Sequence, residues 1–179
     1  EWACKWLDSK ISFQERLVAF IIVEGIFFCG SFCAIFWLKY VKGLMTKALG
    51  KSNELIARDE SLHTDFGILL YSYVINKLSP ALIKEMFTTA VNIEKDFICE
   101  SFNCKLLGMN AESMKIYIEF QADRIIQKLG YEKIYNVSCP FNFMDTTSLD
   151  GKSNFFEQRV TEYNRPEQLR EDLEILTDF

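Results

Sequence analysis

One apolar run constrains this chain more than anything else in it. From Leu17 to Leu38, 22 residues, every position is apolar except Glu24, Gly25, Gly30 and Ser31. Ser12 is placed to cap a helix, and Glu15, three residues on, can complete a capping box. The spacing predicts one helix from about Ser12 to Lys39. A helix of that length and character has two homes. It is long enough to span a bilayer, where a central carboxylate is costly and usually functional. A helix apolar all round also suits the middle of a soluble bundle. Composition leaves both open, and the choice falls to what the next helix offers Glu24.

Glycine and proline are scarce, 8 and 3 in 179 residues, and long periodic stretches follow one another with short breaks. A second helix is expected from about Asn53 to Asn76, after a Gly50-Lys51-Ser52-Asn53 break with capping chemistry. Ser79-Pro80 opens a third, reaching about Leu107, with Pro80 suited to the first turn. Gly108 stops it, Asn110 caps a fourth over Ala111 to Leu129, and Gly130 ends that one. From Tyr131 the pattern changes. Lys133 to Val137 alternates, Cys139-Pro140 interrupts, and Asp150-Gly151 signals a turn, so a short hairpin or irregular segment is expected. The fold class is all-α, with a helical domain over 1–156 and a flexible C-terminal tail over 157–179. The first residue is not Met, and the opening lacks a secretory-signal pattern. It reads as a truncated or processed end, with Glu1 to Leu7 already part of an element.

A net charge of −5 argues against a nucleic-acid partner. Six cysteines (Cys4, Cys29, Cys33, Cys99, Cys104 and Cys139) form no Cys-x-x-Cys pair, which disfavours a zinc ribbon or a dithiol redox motif. Cys29 and Cys33, inside the apolar run, read as core thiols. Their reduced state suits a cytoplasmic location.

Three residues carry the chemistry. His63 is the only histidine. Glu60 lies three before it, so both project from nearly one helix face. Glu24 sits mid-way along the preceding apolar helix. Antiparallel packing, which a short connection favours, would bring all three together. Clustered buried carboxylates need compensation, and a divalent iron or manganese ion supplies it through oxygen and imidazole ligands. Phe28 and Phe32 follow Glu24 near one face, and Ile56 precedes Glu60 by four. All three would wall the metal with inert groups. Asp59 could orient a ligating histidine. The plainer readings are a surface Glu–His pair, a hydrogen-bonded core acid and ordinary aromatic packing. The three residues on adjacent helices make a metal site the reading to test.

At these residues the sequence resembles a known family. Val23-Glu24-Gly25-Ile26-Phe27-Phe28, Ser31-Phe32, and Asn53-Glu54-Leu55-Ile56-Ala57-Arg58-Asp59-Glu60-Ser61-Leu62-His63 closely resemble the radical-generating small subunit of eukaryotic class I ribonucleotide reductase. Gly108-Met109-Asn110, Tyr117-Ile118-Glu119-Phe120, Ala122-Asp123-Arg124 and Asn154-Phe155-Phe156-Glu157 extend the likeness over essentially the whole chain. The resemblance implies a partial ferritin-like bundle and a di-iron centre (manganese being a possible occupant) with Glu24, Glu60 and His63 as ligands. It implies that Phe28, Phe32 and Ile56 line the tyrosyl-radical pocket, and that Asp59 and Tyr163 lie on the radical-transfer route. Leu173, Ile175 and Phe179 would dock on the large subunit. A small-subunit homodimer or heterodimer is a further implied partner, with no membrane.

The resemblance also implies ligands that this sequence lacks. The family's aspartate, its second Glu-x-x-His, its radical tyrosine and a route tryptophan all lie N-terminal to this segment. With one histidine, the chain supplies three ligands where six are needed. It is therefore expected to be inactive alone as a ribonucleoside-diphosphate reductase small chain. Three rivals remain: a non-catalytic helical binding module, a symmetric pair in which two copies each donate Glu24, Glu60 and His63, and a membrane protein. The helix faces built for absent neighbours would be exposed, which predicts poor solubility.

Overall fold

Ser12 does cap a helix. Its hydroxyl accepts the Glu15 amide at 3.2 Å, and Glu15 returns a carboxylate to the Ser12 amide at 3.1 Å. In the computed structural model, which describes residues 1–6, 8, 10–101 and 109–145, this box opens α2, Phe13–Ile26. A short α1, Trp2–Trp6, precedes it.

The apolar run is not one helix. α2 ends at Ile26, Phe27 and Phe28 form a turn, and α3 runs Cys29–Tyr40. This corrects the single helix expected from Ser12 to Lys39. A side chain distant in sequence meets the interruption. The buried Glu94 carboxyl accepts the Gly30 amide at 3.2 Å, giving the first turn of α3 a cap that Phe28 does not provide.

α4 spans Ala48–Ser72 and starts five residues before the expected Asn53. Gly50, read as a breaker, lies inside the helix. A Cβ there would stand 2.8 Å from the Met45 carbonyl and from the Lys39 side chain, so its smallness serves a close approach. Asn53 does not cap; its amide donates to the Phe32 carbonyl at 3.2 Å. The helix stops four residues before Asn76. There Tyr71 Oη accepts the Leu78 amide at 2.9 Å and pairs with Tyr131 Oη at 2.7 Å, folding the chain back.

α5 runs Pro80–Ser101 and α6 runs Ala111–Lys128. The expected end at Leu107 and the Gly108 stop lie outside the described residues. Asn110 caps α6 as expected, accepting the Glu112 amide at 2.9 Å. Gly130 follows with φ +89°, the left-handed conformation that suits glycine beyond a helix end. No strand occurs among the described residues, so the hairpin alternative gives way to irregular chain. One side chain holds it: Asp123, buried on α6, accepts the amides of Ile134, Tyr135 and Asn136 at 2.9, 3.1 and 2.7 Å. A single turn, α7 at Asn142–Asp145, follows.

These elements form one compact unit, Glu1–Ser148. The α2–α3 pair is its centre, with α4 against it and α5 and α6 also packed on it. Val18, Ala19, Ile21, Ile22, Ile26 and Cys33 have no exposed surface. Phe13–Tyr40 is long and apolar enough to cross a membrane, with a mean hydropathy of 2.3 in its most apolar window. Here it is interrupted, and half of that window is buried against the other helices, as in a helix of a bundle.

Candidate metal centre

The meeting of α2 and α4 builds the site. Gly25 faces Thr64, and Gly67 faces Ile21. A Cβ on Gly25 would come within 3.3 Å of Thr64, and one on Gly67 within 2.6 Å of Ile21. Contacts rise along α4 as they fall along α2, so the helices are antiparallel and approach closely at two glycines. Thr64 is buried and returns its hydroxyl to the Glu60 carbonyl at 2.9 Å, which leaves no polar atom stranded at the crossing.

That crossing sets Glu24, in the last turn of α2, opposite Glu60 and His63. His63 Nδ1 lies 3.1 Å from Glu60 Oε2 and 3.5 Å from Glu24 Oε2. One ligating atom from each residue can be chosen so that all three lie within 4.8 Å of one another. Two glutamates from facing helices have thus converged on the only imidazole in the chain.

The charges are strongly coupled. Desolvation raises the Glu24 carboxyl above the usual range, and the neighbouring Glu60 raises it further. Hydrogen bonding to Glu24 lowers the Glu60 carboxyl below that range, with His63 helping. Glu60, then Glu24, raise the His63 imidazole. The three groups therefore bias one another's protonation. A divalent cation could replace those protons, and two carboxylates with an imidazole suit iron or manganese.

The expected walls are only partly in place. Phe28 and Phe32 lie with ring centroids 6.2 Å apart. Phe28 is 42 % exposed and Ile56 48 % exposed, so neither closes a dry pocket among the described residues. The reason is topological: the outer face of α4 meets no described helix. Asp59 is also exposed, and His63 directs Nδ1 at Glu60 and Glu24 instead. Tyr163, Leu173, Ile175 and Phe179 lie outside the described residues.

The family description "Ribonucleotide reductase, small chain" matches residues 1–140. The chain belongs to that family. It is 54% identical over 165 residues to a ribonucleoside-diphosphate reductase small chain of Nicotiana tabacum, covering 92% of this chain and 50% of the relative. It is 58% identical over 163 residues to the small subunit of Dictyostelium discoideum, covering 91% and 48%. Among solved structures it is similar to the ribonucleotide reductase Rnr4 homodimer of Saccharomyces cerevisiae. That match has a TM-score of 0.75 at 38% identity and covers 80% of this chain and 46% of the other. The helical architecture is accordingly that of the family's ferritin-like fold. The chain spans about half the length of these relatives.

Two buried carboxylates escaped the sequence reading. Glu94 is 2 % exposed and Asp123 1 %. A signal for each was present. Met86, Phe87, Ala90, Val91 and Ile98 trace the buried face of α5, and Glu94 falls on it at helical spacing. Asp123 interrupts the buried face of α6 in the same way, beside Ala122 and Ile126. An acid on an apolar stripe must find a donor, and both do.

Proposed function

We propose that this chain is the C-terminal portion of a ribonucleoside-diphosphate reductase small chain and contributes half the protein ligands of its di-iron centre. The carrying observation is the convergence of Glu24, Glu60 and His63 across the antiparallel α2–α4 crossing. The donor set fits the group: two carboxylates and an imidazole from facing helices are half of a two-Glu, two-Glu-x-x-His site. When bound, the di-iron centre supplies the oxidising power that creates a tyrosyl radical for deoxyribonucleotide synthesis. The chain's own residues hold and orient. Glu24, Glu60 and His63 bind, while Phe28, Phe32 and Ile56 form part of the radical pocket, closed by further helices. Asp59 and Tyr163 extend the transfer route, and Leu173, Ile175 and Phe179 dock on the large subunit. The setting is cytoplasmic, and a second small subunit is the other partner.

Metal titration tests the ligand assignment. Manganous or ferrous ion added to the chain should broaden or shift the His63 ring resonances, and Glu24→Ala, Glu60→Ala and His63→Ala should each weaken binding by about tenfold or more. Equal affinity in all three variants would overturn the assignment.

A second reading is favoured by the exposed apolar residues of α4: a helical module that docks on a companion small chain. Removal of Leu173 to Phe179 separates the two modes of association. Loss of large-subunit binding with companion binding retained places the large-subunit contact in the tail.

A further inference from the structure

The interruption at Phe27–Phe28 lies between Glu24 and the aromatic residues that follow it, and it is held from a third helix. Glu94 projects from α5 into the core, 2 % exposed, and its Oε1 accepts the Gly30 amide at 3.2 Å. The first turn of a helix has free amides, and an acidic acceptor is the group best suited to them. Phe28, in the capping position, offers no side-chain acceptor. The fit is close. A Cβ on Gly30 would stand 2.9 Å from Glu94 Oε1 and 2.5 Å from Ile98 Cγ1, so the carboxyl reaches the backbone because residue 30 has no side chain. On the other side of the interruption, a Cβ on Gly25 would stand 2.4 Å from Ile125 Cδ1 of α6 and 3.3 Å from Thr64 of α4. The turn of α2 that carries Glu24 thus packs closely against α6 and against the helix bearing Glu60 and His63. Beyond the interruption, the chain is fixed to α5 through Glu94.

We infer that Glu94 is a positioning residue for the Glu24–Glu60–His63 cluster: its bond to the Gly30 amide holds the helix interruption in register and so sets where Glu24 stands. The inference rests on the ligand reading above for its importance, though its geometry does not require a metal. Burying a carboxyl here is costly, and desolvation pushes Glu94 up to about 8. A leucine would fill the same space without that cost. What a leucine would not supply is the acceptor for the Gly30 amide.

His63 is the chain's only histidine, so its ring resonances report on the cluster without ambiguity. Amide exchange at Gly30 reports on the clamp. Three variants of the full 179-residue chain separate the roles. Glu94→Gln keeps a side-chain carbonyl within reach and should leave both signals as in the parent. Glu94→Leu fills the space without an acceptor. Glu94→Asp keeps the acid but shortens its reach, and it serves if the leucine variant fails to fold. In these two, Gly30 exchange should quicken by about tenfold or more, the loss of one hydrogen bond, and the His63 ring signals should move. Unchanged Gly30 exchange would overturn the clamp. Faster exchange or a lower melting temperature with His63 signals in place would reduce Glu94 to a structural role and overturn the inference. Failure of the ligand reading shows elsewhere: the parent His63 signals would ignore added manganous ion, whatever residue 94 is.

Discussion

α4 and α5 are long helices packed on the same central pair, and they treat their apolar residues in opposite ways. α5 buries Ile83, Met86, Phe87, Ala90, Val91 and Ile98 and leaves only Ile93 and Phe97 exposed among its described large apolar residues. α4 buries Gly50, Asn53, Thr64, Gly67 and Tyr71, and exposes Leu55, Ile56, Leu62, Phe66, Leu69 and Leu70. One helix uses its apolar stripe to hold the unit together. The other uses small and polar residues for close approach and keeps its apolar stripe outside. A stripe left outside is normally the sign of an interface. The proposed metal site points the same way: Glu60 and His63, which with Glu24 would supply half of its ligands, sit on the helix with the uncovered face.

One substitution made on each helix would break or confirm this contrast. Phe87→Ala on α5 removes a ring with no exposed surface. It should cost about 3–5 kcal/mol in denaturant unfolding, the sum of lost transfer energy and a residual cavity. A cost near zero would mean that the α5 face is not the core.

A smaller effect, and one with a sign, separates the two helices by pH. α5 carries Glu94 buried, whereas the acids of α4 are at least partly solvated. The Glu94 carboxyl is raised from 4.5 to about 8 by desolvation. Between those values the folded chain holds a proton that the unfolded chain has released. Its contribution to stability is therefore complete below pH 4.5, falls as pH rises, and is fully lost above about 8. The slope attributable to it is roughly 1.4 kcal/mol per pH unit. Unfolding of the parent and of Glu94→Gln, compared across pH 5 to 8 (the window those two values set), should show that slope only in the parent. Parallel curves would show that Glu94 is not held protonated.

What the sequence made legible divides along the same line. Local signals held: the Ser12 capping box, the Asn110 cap, the Gly130 terminus, and the Glu60–His63 spacing that puts both side chains on one face. Glu24 was legible because a single carboxylate in a long apolar run has few explanations. Signals that depend on partners distant in sequence did not hold. The interruption at Phe27–Phe28 is met by Glu94, 64 residues beyond Gly30. Gly50 reads as a breaker until Lys39 and Met45 are seen against it. The dry walls expected from Phe28 and Ile56 need a neighbour on α4 that the described residues do not supply. A helical period shows which residues share a face, but not whether anything covers it.

The smallest stability effect and the sharpest test of the comparison come from the same ring on the other helix. Phe66 is 58 % exposed on α4. If that face is free in the isolated chain, Phe66→Ala should change unfolding by no more than about 0.5 kcal/mol, the range of ordinary surface positions. It should also reduce concentration-dependent association in sedimentation, because an exposed aromatic is a natural contact between copies. A cost near that of Phe87→Ala, growing with protein concentration, would mean that the face is already covered by a second copy. Metal binding by Phe66→Ala then separates the possible reasons for that cover. If metal binding survives Phe66→Ala at low protein concentration, one copy's three ligands hold the ion unaided. If it disappears together with association, the site is completed by the second copy, and the apolar face of α4 and the half-filled ligand set are two sides of one interface.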